Sequence, residues 1–239
     1  AGAPGRTRHP ARGDRRRLRA ALANPPAPVV VADYSLRESY DPLETIASPR
    51  PIPAYQTAAL TINLKGRSFA AYQAERKPLY RQNLLDWLAD VVQQEGPVHH
   101  TEVMRRMSYA AGYQMLTMPE GVEKWLLKEG VKSGRIERRG DFLWPVGLER
   151  PVVRDRSQLP PVSRKFEYIC PEEIEAAVCL VVEDALGIAP EDVPRCVGQL
   201  FGFRQIGEGS KTAVFAAIQN LIAQGRLVQE DSSSLTLAG

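Results

Sequence analysis

A chain of 239 residues, 44% hydrophobic and 25% charged, has room for one large domain or two small ones with proper cores. It contains no apolar run approaching the roughly 18 residues that a membrane-spanning helix needs, its basic beginning is followed by no apolar stretch of the secretory kind, and its three cysteines lack CxxC spacing. A transmembrane helix is excluded, and a secretory signal, a disulfide framework and a cysteine zinc site are not expected. The net charge of +3 conceals a polarity, because residues 166–239 sum to −7 and the rest of the chain is positive or neutral. A polyanionic partner should therefore meet the first two thirds.

Residues 1–77 read as an irregular segment rich in arginine and proline. Arg6, Arg8, Arg12, Arg15, Arg16, Arg17 and Arg19 cluster among small residues, and prolines recur through Pro53. Val29–Val31 and Thr57–Leu64 are the candidate edge strands there. From residue 78 the period becomes helical: Leu84, Leu85, Leu88, Val91 and Val92 form one stripe, ended by Gly96-Pro97. Thr101 is a candidate N-cap for a second helix through Val103, Met104 and Met107. Thr117 and Glu120 have capping-box spacing for a third, through Val122, Leu126, Leu127 and Val131. Arg135–Arg138 and Phe142–Trp144 then flank a glycine turn as a hairpin. Three helices followed by a hairpin is the order of a winged helix.

The order recurs. Ile174, Ala177, Val178, Val181 and Val182 stripe a helix opened by Pro171, Pro190-Glu191-Asp192 opens a second, and Val214, Ala217, Ile218, Leu221 and Ile222 stripe a third before Gly225–Val228 and Leu235–Leu237. Val103 aligns with Val193 and Gly112-Tyr113 with Gly202-Phe203 at an offset of 90 residues; Gly134-Arg135-Ile136 aligns with Gly225-Arg226-Leu227 at 91. The expected fold class is α+β, mostly helical, with two tandem winged-helix domains at 78–147 and 166–239, joined by a linker at 148–165.

Glu95–His99, Gly134–Ile136, Gly140–Pro145, Val153–Ser157, Pro171–Ile174 and Leu200–Arg204 follow one another in an order that resembles a domain of unknown function. That domain occurs at the C-terminal end of large bacterial superfamily 1 DNA helicases, many of which also carry an endonuclease domain related to very-short-patch repair. The resemblance covers about residues 78–230. It implies an accessory module of a helicase whose motor lies outside this chain, and it supplies no catalytic residues. Gln205-Ile206 departs from the Arg/Lys-Thr of the family pattern, which weakens a polyanion contact at that point.

Gly207–Thr212 imitates a phosphate loop but has Ser210 where the loop needs glycine, and it reads as the start of a helix. His99 and His100, adjacent in an extended segment, should point to opposite sides and cannot easily share a metal. No triad or acid/base pair can be assembled, so neither an enzyme nor a metal or cofactor site is expected. What remains is a cationic stripe of Lys124, Lys128 and Lys132 on the third helix, flanked by Trp125, with Arg135, Arg138 and Arg139 on the adjoining hairpin. Helix and wing together would present six basic groups to phosphates without reading sequence. Arg204 and Lys211 are secondary candidates in the second domain. Its third helix should expose Ala216, Gln219, Asn220 and Ala223, a charge-poor face suited to protein contact. The sequence thus predicts a non-catalytic, cytoplasmic nucleic-acid-binding module, with DNA and the helicase motor as partners. The alternative is a docking or self-association platform that touches no nucleic acid.

Overall fold

The computed structural model describes residues 50–75, 77–115, 118–230 and 234–238. The arginine cluster, Val29–Val31 and Thr117 lie outside these residues. The fold is α+β, about half helical among the described residues, with small antiparallel sheets. The elements are α1 (Phe69–Ala74), α2 (Pro78–Glu95), β1 (Val98–His99), α3 (His100–Ala110), α4 (Glu120–Lys132), β2 (Glu137–Arg139), β3 (Phe142–Trp144), a 3-10 turn (Phe166–Tyr168), α5 (Pro171–Ala185), α6 (Val193–Leu200), α7 (Glu208–Ala223), β4 (Leu227–Glu230) and β5 (Ser234–Leu237). A helix–helix–helix–hairpin succession therefore occurs twice, from α2 to β3 and from α5 to β5.

In the first unit Leu84, Leu88, Val91 and Val92 of α2, spaced for one helix face, are buried with Val103, Met104 and Met107 of α3 and with Val122, Leu126 and Leu127 of α4. Gly130 lets α4 press onto α2, since a Cβ there would lie 2.7 Å from Leu88 Cδ2. β3 runs between β1 and β2, pairing Val98 with Leu143 and Arg138 with Leu143. In the second unit Val178 and Val182 of α5, Val193 and Val197 of α6, and Val214, Ile218 and Leu221 of α7 close a second core with Leu227 and Leu235. An isolated bridge from Ile188 to Leu235 stands where the first unit has β1.

The turns that close the helices repeat as well. Gly112 donates to the Tyr109 carbonyl and Tyr113 to that of Ser108; Gly202 donates to Gln199 and Phe203 to Gly198. After the third helices, Gly134 and Arg135 donate to Val131 and Gly130, as Gly225 and Arg226 do to Ile222 and Leu221. These are paired C-terminal caps, each with its glycine at positive φ. The arginine after each third helix ties back to an acid on the first: Arg135 pairs with Asp86, and Arg226 lies 4.0 Å from Glu175.

Several local expectations are corrected. Residues 51–75 are not irregular throughout: α1 buries Phe69 and Tyr72 in the first core, because its aromatic residues have an apolar face to cover. Thr57–Leu64 forms no strand and instead inserts Ile62 and Leu64 into that core. α3 is capped by His99, whose Nδ1 accepts from the Thr101 N–H at 3.2 Å, and α4 starts after Pro119 without a side-chain cap. Val131 is exposed on α4, since the buried arc is completed by Gly130.

The 148–165 segment is no loose tether. Val153 and Leu159 are buried, and Arg154 and Arg156 enter a nearly dry polar junction. Arg156 grips Glu173 in a two-pronged pair at 2.9 and 2.8 Å, and Arg154 reaches Glu173 Oε2 at 2.9 Å while also donating to the carbonyls of Glu95 (2.7 Å) and Pro97 (3.1 Å). Glu95, wholly buried at the end of α2, accepts from Arg106, Tyr55 and the Ala58 N–H. Burial opposes ionisation of Glu173, but Arg156 and then Arg154 prevail and hold its carboxyl below the usual glutamate range. Phe142, Trp144 and Cys170 form an apolar cluster of their own beside it, where burial pushes the Cys170 thiol up to about 12.

Candidate nucleic-acid interface

The packing of α4 decides which of its side chains reach water. With Val122, Leu126, Leu127 and Gly130 turned inward, the 3.6-residue period places Lys124, Lys128, Val131 and Lys132 on the opposite, exposed arc. Lys128 and Lys132 make no ion pair with any described residue. Lys124 is joined to Glu120 at 2.5 Å one turn earlier, and that hydrogen bond and charge raise its pKa. Trp125 is half-buried against the first core, with the Arg81 guanidinium 5.5 Å above its ring. Arg81, on α2, therefore borders this surface. Sequence inspection of α4 could not find it, because its position depends on how α2 and α4 cross.

The hairpin arginines are divided rather than pooled. Arg138 stands opposite Leu143, which points into the first core, whereas Arg139 stands opposite Phe142, which points into the junction cluster. Successive strand residues face opposite ways, so the two arginines lie on opposite faces of the sheet. Arg139 is held against its own hairpin: it lies 3.9 Å over the Trp144 ring and donates to Glu137 (3.1 Å) and to the Leu148 carbonyl (3.0 Å). Arg138 donates to the Gly140 carbonyl at 2.8 Å and stays exposed. Arg135, half-buried, is committed to Asp86. The expected surface of six basic groups contracts to the three lysines, with Arg138 on the same side of the sheet as the helices.

In the second unit Arg204 is exposed, and Lys211 is paired with Glu208 at 2.7 Å. Ala216, Gln219 and Ala223 are exposed on α7, and so is Asn220, whose side-chain amide donates to Glu175. Phe215 adds an aromatic ring to that arc, 40% exposed. The histidines do not diverge as expected. Their rings stack at 4.7 Å, because His99 turns to cap α3 while His100 pairs with Glu123 at 2.6 Å. Among the described residues no group of three or more His, Cys, Asp or Glu side chains could hold a metal ion, and no helix is long and apolar enough to cross a membrane.

Residues 77–115, which run from the start of α2 through β1 and α3 to the turn after it, match a family described as "Protein of unknown function (DUF3320)". No curated protein and no solved structure matches the chain.

Proposed function

We propose that the two units are winged helices and that the first holds nucleic acid through phosphate contacts, as a non-catalytic accessory module of a superfamily 1 helicase. The observation that carries this reading is the exposed arc of α4, where Lys128 and Lys132 make no ion pair with the described residues and Lys124 continues the line. Such a stripe neutralises backbone phosphates and releases counterions, and it carries no base-reading geometry. The order of motifs from Glu95 to Arg204, with its resemblance to the helicase-associated domain, supports the helicase setting. Charge reversal by Lys128→Glu with Lys132→Glu tests the reading in a salt-titrated duplex-binding assay. Affinity should fall equally for unrelated sequences, and the slope of log affinity against log salt should flatten by about two. Unchanged binding would remove α4 from the interface.

A second reading concerns α7, whose exposed arc joins Phe215 to Ala216, Gln219 and Ala223 and carries no charge at those positions. That composition suits protein contact, either with a second copy or with the helicase motor. Ala216→Arg with Ala223→Arg should dissolve such a complex, read by light scattering with and without the motor.

A further inference from the structure

Away from α4, a cleft of about 1060 Å³ opens between the segment after Leu159 and the turn from α6 to α7, lined by Pro161, Arg164, Gly202, Phe203, Arg204 and Gln205. Two guanidinium groups line it and no carboxylate does. The wall is shaped by Gly202: its φ of +84° ends α6 and turns Phe203 and Arg204 toward the opening. A Cβ on Gly202 would sit 2.5 Å from Asp155 Oδ1 and 2.6 Å from the Ser157 nitrogen, so the backbone can approach that closely only as glycine. The Asp155 carboxylate beneath it is committed to the Ser157 N–H and hydroxyl, at 2.8 Å each. Glu208, at the start of α7, is paired with Lys211.

The cations are placed differently. Arg164 is half-buried and anchored by one N–H to the Ser157 carbonyl at 2.8 Å, which leaves its other donors available in a fixed orientation. Arg204 is exposed, with no ion pair among the described residues. Phe203 is only partly buried, its ring tilted 5.8 Å from that of Phe166. The opening far exceeds a lone phosphate and lies just above the range of about 300–1,000 Å³ usual for small-molecule sites.

We infer that this cleft takes a nucleotide unit of a single nucleic-acid strand, with its phosphate between Arg164 and Arg204 and its base against Phe203. The inference stands independently of the α4 reading, since no residue is shared. Guanidinium groups match phosphate geometry, and an aromatic face accepts any base. The probe is a fluorescent oligothymidine of about 12 nucleotides, followed by anisotropy on the full chain across a salt series. Arg204→Ala, at an exposed site without an ion pair among the described residues, should weaken binding about tenfold and flatten the salt slope by about 0.7. Phe203→Leu should weaken oligothymidine binding about 5- to 100-fold and leave an abasic strand of equal length unaffected. The Lys128→Glu, Lys132→Glu chain separates the two surfaces: its duplex affinity should drop while the Arg204→Ala effect on the single strand persists. Competition by thymidine monophosphate assigns the same phosphate-plus-base chemistry to a free nucleotide, and failure to compete assigns it to the strand. No binding of oligothymidine by the unmodified chain, or equal affinity and slope after Arg204→Ala, overturns the cleft whatever the lysine variant does.

Discussion

The third helices of the two units are built alike and surfaced differently. At the offset of 91 residues Leu126 and Leu127 of α4 correspond to Ala217 and Ile218 of α7, all buried, and the arginine after each helix ties back to the first helix. The outward positions share nothing: Lys124, Lys128 and Lys132 stand where α7 has Phe215, Gln219 and Ala223. Inward positions and glycine turns are constrained by packing and backbone geometry, so they persist across the repeat. Exposed positions are free of that constraint and diverge.

The strongest way to break the comparison is to separate the units. Glu173→Gln would leave Arg154 and Arg156 facing a neutral group in a nearly dry junction, and removal of one partner of a buried ion pair costs about 3–5 kcal/mol. Denaturant unfolding should register that loss, and if both cores depend on the junction they should melt together. The pH dependence checks the same group. The carboxyl of Glu173 ionises below its unfolded value of about 4.3, so its contribution is complete above that pH and disappears as pH falls through the lower, folded value. In Glu173→Gln that part of the acid limb should be missing.

Next in size is the lysine double substitution on α4, expected to cost about ten- to a hundredfold in duplex affinity at low salt with folding stability unchanged, because both side chains are exposed and make no ion pair with the described residues. The smallest effect sharpens the distinction between surface and scaffold. Asp86→Asn should cost only about 0.5 kcal/mol, since the Arg135 pair is partly exposed. It should leave duplex affinity unchanged, because Arg135 serves the corner between α4 and β2. A marked gain in affinity would place that arginine on the phosphate surface after all.

From α2 onward the order of the helices and most of the face that each buries were legible in the sequence, because apolar residues at 3.6-residue spacing favour one buried stripe; α1 and the outward turn of Val131 were not. The outward direction of Lys124, Lys128 and Lys132 followed from the same period. The caps were less legible: His99 displaced Thr101 because a ring nitrogen can accept the amide hydrogen bond as well as a hydroxyl. The hairpin arginines could be located in the sequence but not sorted onto faces, since the pairing register of Arg138 and Arg139 with β3 decides which face each takes.

Helical periodicity and the glycine turns together determined that this chain would fold as repeated helices with hairpins and would carry a cationic arc on one helix. Only the tertiary structure decided which cations remain available, since charge counts along a chain do not say which acid will lie beside which base. Arg154 and Arg156 read as part of a linker and prove to be the buried partners of Glu173, whereas Arg164, a few residues on, faces an open cleft. Their fates differ because burial makes an unpaired charge costly, and burial is a property of the folded chain.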